Sequence, residues 1–164
     1  MNNSGGGAVC LSRNFFMYYI FLIGMIIADQ ITKIIVRHTM YLHQSFPLIG
    51  DILKITYIEN RGVAFSMFQE SQNKLVLIVI PVIVMVGLLI YHRKAKQKYG
   101  GLFSISVMMI VAGGFSNLID RMTFHSVTDF IDLKWFAIFN LADIFAVVGC
   151  IFLVISVFFC ERTK

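Results

Sequence analysis

LVLIVIPVIVMVGLLIYHRKAKQKYGGLFSISVMMIVAGGFSNLIDR, residues 75–121, decides the fold. Two apolar runs, Leu75 to Tyr91 and Leu102 to Ile119, flank Arg93, Lys94, Lys96 and Lys98, with no acid between them. A helix rises about 1.5 Å per residue, so about 20 residues cross a hydrocarbon core of roughly 30 Å. Each run is therefore a membrane span, and by the positive-inside rule the basic loop between them is cytoplasmic. Working outward, a third run covers Phe15 to Ala28 and a fourth covers about Leu141 to Phe159. The first is short on strict count and reaches spanning length if the helix continues through Gln30 and Ile31.

The expected architecture is an all-α membrane protein with four transmembrane helices at 15–31, 75–91, 102–119 and 141–159. Four spans with a cytoplasmic central loop put both termini inside, and Arg13, Arg162 and Lys164 fit that orientation. The chain has 164 residues, enough for one domain; 58% are hydrophobic and 14% charged, against about 25% charged in globular domains. The formal charge of +5 does not imply nucleic acid, because the basic residues are placed by topology. Residues 1–13, rich in glycine, read as a disordered tail. A cleaved signal peptide is disfavoured, since three more apolar runs follow and no small-residue cleavage site succeeds the first. Cys150 and Cys160 lie about 15 Å apart along one helix and cannot pair with each other.

The outer segment between the first two spans carries its own structure. Ile52 to Ile58 is rich in β-branched residues, punctuated by Pro47 and Gly50-Asp51 before it and Asn60-Arg61-Gly62 after it. It predicts a strand, with Val63 to Phe68 as a returning one. Together they give a small β-sheet cradle over 40–70, on the outer membrane face. Tyr41, Phe46, Tyr57, Phe65 and Phe68 suit an interface. Pro81 is a tolerated kink.

Polar groups inside spans cost at least about 2.5–3.5 kcal/mol at the centre, so each needs a reason. Here they are Asp29, Asn117, Asp120, Arg121, Asn140 and Asp143, and the topology brings three helix ends with these groups to one depth near the outer surface. Gly113, Asn117, Asp120 and Arg121 stand at i, i+4, i+7 and i+8, one helix face. Asn140 and Asp143 share a face at i, i+3. Gly113-Gly114 allow close helix approach. Asp29 with Lys33, at i, i+4, reads either as an interfacial salt bridge or as a substrate contact. Asp120 with Arg121 reads as structural pairing or a helix cap. Asn117 and Asn140 read as interhelical glue or as positioning groups. Asp132 and Lys134 read as solvated loop charges. Asp129, between Val127-Thr128 and Phe130-Ile131, and Asp143 have no dedicated cation. Two such carboxylates close together cannot both ionise cheaply, and one keeps its proton. That arrangement suits general acid–base hydrolysis. No His-Glu-x-x-His zinc motif, phosphate-cradling loop or nucleophile elbow occurs, and His38 with His43 makes a poor metal site.

Five blocks in order carry a resemblance. They are Ala28-Asp29-Gln30-Ile31-Thr32-Lys33, Asn60-Arg61-Gly62-Val63-Ala64-Phe65, Gly113-Gly114-Phe115-Ser116-Asn117-Leu118-Ile119-Asp120-Arg121, Val127-Thr128-Asp129-Phe130, and Phe139-Asn140-Leu141-Ala142-Asp143. With four spans they resemble the lipoprotein signal peptidases, the type II signal peptidases of bacteria, over nearly the whole chain. The resemblance implies an aspartyl endopeptidase of the bacterial inner (cytoplasmic) membrane. It would remove the signal peptide from diacylglyceryl-modified prolipoproteins by cutting just before the lipidated cysteine, with an active site near the outer leaflet. It implies Asp129 and Asp143 as the catalytic pair. It assigns supporting roles near them to Asp29, Asn60, Gly113, Asn117, Arg121 and Asn140, and Lys33, Gly62 and Asp120, in the same blocks, are expected beside these as supporting or substrate-binding residues. It also implies an outer β-cradle and a short helix on the outer, periplasmic face before the catalytic loop, with no metal or organic cofactor. The expected partners are the prolipoproteins and membrane lipid, for a monomer. The family usually has glycine about four residues before the first catalytic aspartate, where this chain has His125; glycine there would permit an unusual backbone angle. The competing expectation is a non-catalytic small membrane transporter or assembly factor using intramembrane acids. It fits less well, because transport carboxylates tend to lie near the midplane.

Overall fold

A computed structural model describes the backbone of residues 6–62 and 70–162, and the side chains of 16–62 and 76–160. Helix α1 runs Gly6–Thr39, α2 Glu70–Phe124 and α3 Leu141–Arg162. Each contains a stretch long and apolar enough to cross a membrane: Phe16–Thr39, Val76–Phe124 and Leu141–Cys160. Their large apolar side chains, Phe16, Ile20, Ile23, Ile27, Ile83, Ile90, Val147, Ile151 and Val154 among them, point outward. A water-facing surface of this kind is untenable; the chain is a membrane protein.

Helix α2 is not one rod. At Gly100 the backbone leaves helical geometry, with φ 79° and ψ −159°, values open to glycine and strained for other residues. The 49 residues from Val76 to Phe124 would otherwise extend about 73 Å, more than twice a hydrocarbon core. Instead the two arms fold back on each other. Tyr91 meets Phe103 edge-on at 5.8 Å, His92 hydrogen-bonds Ser104 at 3.0 Å, and Met85 lies against Gly114. Met85, Phe103, Val107, Met108, Val111 and Leu118 form the core between the arms. Helix α3 packs antiparallel on the second arm through small residues. A Cβ on Gly113 would lie 2.3 Å from Ala142 O, and one on Gly149 would lie 2.9 Å from Ser106 O. Where lipid removes the hydrophobic drive between helices, this close backbone approach supplies the packing.

Several boundaries differ from expectation. Helix α1 begins at Gly6, so residues 6–13 continue the helix upstream of the span; nothing between Gly6 and Arg13 is a proline, and Ala8, Val9 and Leu11 are compatible with helix. At its other end α1 continues to Thr39, eight residues beyond the predicted stop at 31, because Lys33, Val36 and Arg37 have buried partners there.

The sheet is three-stranded in the order β1 (Ser45–Ile49), β2 (Leu53–Asn60), β3 (Val127–Leu133), antiparallel throughout. The predicted strand over 52–58 is β2, but its partners are β1 and the distant segment β3. The expected return strand, Val63 to Phe68, lies outside the described residues. Asp132, read as a loop charge, belongs to β3, opposite Lys54, and its Oδ2 accepts from Thr56 Oγ1 at 2.7 Å. Among the described residues no separate short helix precedes Val127; the second arm of α2 runs on to Phe124 and turns directly into β3 through His125 and Ser126. Val36 and Met40 of α1 pack with Tyr57 and Phe130, so one face of the sheet lies on the end of α1.

Candidate active site

Strand alternation builds the site. Phe130, packed on Tyr57 and Val36, fixes which face of β3 meets α1, and Asp129 takes the opposite face. Val127 is in register with Asn60 and Asp129 with Ile58, so Asn60 is Asp129's diagonal neighbour on that face. Asn60 Nδ2 donates to Asp129 Oδ2 at 2.9 Å. The amide is oriented from behind, because its Oδ1 accepts from the Gly62 N–H at 2.9 Å. Gly62 has φ 76° and no room for a Cβ, which would approach Leu77 Cδ1 to 2.8 Å.

After β3 the chain turns back, and Phe139 pairs with Ile131. This delivers Asn140, fully buried, beside Asp129. Asn140 is the N-cap of α3. Its Oδ1 accepts from the Asp143 N–H at 3.0 Å, and Asp143 Oδ2 accepts from the Asn140 N–H at 3.1 Å, a reciprocal capping box. Asn140 Nδ2 donates to Asp129 Oδ1 at 2.7 Å and to Asn117 Oδ1 at 3.1 Å. Asn117 Nδ2 donates to Asp143 Oδ1 at 2.8 Å. The two carboxylates are thus joined through two asparagines, and among the described residues neither forms an ion pair. Asp129 is 3% exposed, while Asp143 is half-buried. Burial pushes the Asp129 carboxyl from 3.8 up to about 6 against the pull of its two asparagine donors, and the nearby charge of Asp143 adds to the rise.

Behind this pair lies a second, charged cluster. Lys33 Nζ is 2.7 Å from Asp29 Oδ2 and 3.1 Å from Asp120 Oδ2, all three side chains being 0% exposed. Lys33 also donates to Asn117 Oδ1 at 2.8 Å. Asp29 Oδ1 accepts the Ala142 N–H at 2.8 Å, satisfying a free donor at the start of α3, and Asp29 Oδ2 accepts from Ser116 Oγ at 2.7 Å. Every oxygen of Asp29 is engaged by protein. Asp120 is not paired with Arg121, as its sequence neighbour suggested. Its partners are Lys33 and Arg37, because the helical turn that buries Asp120 against α1 leaves the adjacent residue on another side. Arg121 instead lines a cavity of about 160 Å³ with Leu77, Ile78 and His125. Gly113 supplies packing on Ala142.

Eight of the expected residues (Asp29, Lys33, Asn60, Asn117, Asp120, Asp129, Asn140 and Asp143) therefore fall into one continuous polar assembly. Sequence reasoning passes over Gln30, Arg37, Ser116 and Thr128, which complete it. Arg37 was within reach: Asp29, Lys33 and Arg37 stand at i, i+4 and i+8 on one helix face. His125 adopts φ 59°, so the histidine takes the left-handed conformation for which glycine would be the unstrained choice. Among the described residues no group of His, Cys, Asp or Glu could hold a metal ion.

Helices of spanning length ending in a buried carboxylate pair define a membrane protein with the equipment for acid–base chemistry at one end. Comparison with known proteins gives the family. Residues 21–159 match the family described as Signal peptidase (SPase) II, and the chain belongs to it. The lipoprotein signal peptidase of Halothermothrix orenii is 36% identical over 146 residues, covering 89% of this chain and 98% of that protein. The protein of the same description from Clostridioides difficile is 36% identical over 148 residues, covering 88% and 97%. Two solved structures, both described as bacterial membrane enzymes studied by the in meso method, superpose with TM-scores of 0.81 and 0.80. Their identities are 29% and 30%; they cover 90% and 86% of this chain, and it covers 91% and 92% of theirs.

Proposed function

We propose that the whole chain forms a single peptidase domain of the bacterial inner membrane that removes the signal peptide from diacylglyceryl prolipoproteins, cutting just before the lipidated cysteine. The observation that carries an aspartyl mechanism is the amide-bridged pair, Asp129 and Asp143, with no cation paired to either among the described residues. Family membership supports the reaction. Asp129, buried and raised to about 6, holds the proton and hydrogen-bonds the scissile carbonyl. Asp143, in the first turn of α3, is the carboxylate that takes a proton from the attacking water. The tetrahedral intermediate then collapses with cleavage of its C–N bond, and Asp143 passes the proton it took from water to the cysteine amino group as it leaves.

The two arms of α2 and the helices α1 and α3 make four crossings. Arg93, Lys94, Lys96 and Lys98 at the Gly100 turn face the cytoplasm with both termini. The dyad then stands near the outer leaflet, where a translocated signal peptide presents its cleavage site. The polar assembly is complete within one chain, which supports action as a monomer.

The decisive experiment uses purified enzyme in detergent, a diacylglyceryl prolipoprotein, and a gel shift on signal-peptide loss. Asp129→Asn and Asp143→Asn should each lower turnover by about 10³-fold or more. Near-normal turnover in either variant would remove that residue from the mechanism. An inert wild type that binds a small solute would favour a transporter.

A further inference from the structure

Asp129 is held from the side opposite the dyad. Its neighbour Thr128 is buried and gripped at two atoms. The Thr128 N–H donates to Asp120 Oδ2 at 3.1 Å, and Thr128 Oγ1 accepts from Arg37 Nε at 2.7 Å. Arg37 Nη2 lies 2.9 Å from Asp120 Oδ1 without a well-aligned hydrogen bond, so charge holds that contact. The guanidinium also stacks 3.9 Å from the centroid of Phe124, at the last residue of α2. One planar group therefore ties the end of α1, the end of α2 and the start of β3. Lysine could not do this with a single nitrogen, since two contacts leave from different atoms of a rigid fork.

We infer that Arg37 is a positioning residue for peptide hydrolysis, acting through Thr128 to fix the place of Asp129 against Asp143. The inference rests on the aspartyl-dyad reading above. The geometry favours it over a simple tether between helix and sheet. A tether could end anywhere on β3, whereas here both grips fall on the residue preceding the carboxylate. Thr128 and Asp129 leave the backbone on opposite faces, so a tilt at Thr128 swings Asp129 in the opposite sense.

Cleavage of a diacylglyceryl prolipoprotein by the purified full chain tests this. The enzymes are wild type, Arg37→Lys, Arg37→Met, Thr128→Val and the double variant Arg37→Met/Thr128→Val, with thermal midpoints recorded for each. Misplacement by a fraction of an ångström should lower kcat roughly 10–100-fold in Arg37→Met and about 10-fold in Thr128→Val. KM should stay within about twofold, because the lost contact lies away from substrate. The double variant should be no slower than Arg37→Met, since both changes break one contact. Arg37→Lys should recover only part of the loss. Folded Arg37→Met with wild-type kcat overturns the inference, as does a double variant whose losses multiply. If Arg37→Met does not fold, Thr128→Val decides, and an unchanged kcat there overturns it. An inert wild type sinks the proposed function itself, a different outcome from normal turnover in these variants.

Discussion

Asp29 and Asp120 face cations, while Asp129 and Asp143, a few ångströms along the same polar assembly, face asparagine amides. In the first region two acids and two bases, Lys33 and Arg37, cancel to zero charge; Asp29, Lys33 and Asp120 are fully buried, and Arg37 keeps a little exposure. There each carboxylate has a cation within 3.1 Å and its oxygens are taken up by protein partners. In the second region Asn60, Asn117 and Asn140 orient the carboxylates through neutral donors. An amide fixes direction without supplying a counter-charge, so repulsion between the two acids stays available to keep a proton on one of them. Identical side chains are thereby ion-paired in one place and, on the proposed mechanism, reactive in the other, and the partner chosen makes the difference.

This contrast can be broken most severely from the structural side. Lys33→Met removes the shared cation and leaves Asp29 and Asp120 buried without it. The expected loss is about 3–5 kcal/mol of stability, read as a large fall in thermal midpoint in detergent. A variant that melts normally but has lost turnover would move Lys33 into the reactive region and erase the distinction.

A smaller effect sharpens the other side. Because the Asp129 carboxyl is raised from 3.8 to about 6, the folded chain binds more protons than the unfolded one between those values. Stability contributed by this group is therefore fully present below about pH 4 and is lost as pH rises through 6, by at most about 3 kcal/mol. Midpoints measured from pH 4 to pH 7 should fall more steeply for wild type than for Asp129→Asn. Parallel curves would place Asp129 among ordinary, unshifted carboxylates. The smallest expected change lies outside both regions: His125→Gly should relieve the left-handed strain and raise stability by about 0.5–1 kcal/mol. A lower midpoint would show that the histidine ring contributes contacts worth more than its strain.

Much of this was readable in the chain. Apolar runs are long-range averages and survive local errors, so the spans at 75–91, 102–119 and 141–159 lie within their helices. The i, i+3 spacing of Asn140 and Asp143 is a capping box, and the i, i+4 spacing of Asp29 and Lys33 is an ion pair, because both are local geometry. What failed was pairing between distant segments. Nothing in Ile52 to Ile58 says that Val127–Leu133 is its neighbour. Likewise Arg121 follows Asp120 in sequence, yet Arg37, 83 positions upstream, is the partner. Sequence adjacency on a helix separates side chains by about 100°, and only the packing of α1 against α2 decides which cation meets the buried acid.

The cap of α3 has a consequence for how the protein acquires its function. Asn140 starts that helix and, with the same side chain, reaches Asp129. The first turn of α3 therefore cannot form natively without setting Asp143 and drawing in Asp129. One amide thus sets both the start of the helix and the carboxylate pair. In a membrane hydrolase so built, a change that frays the last helix at its start reaches both acids at once.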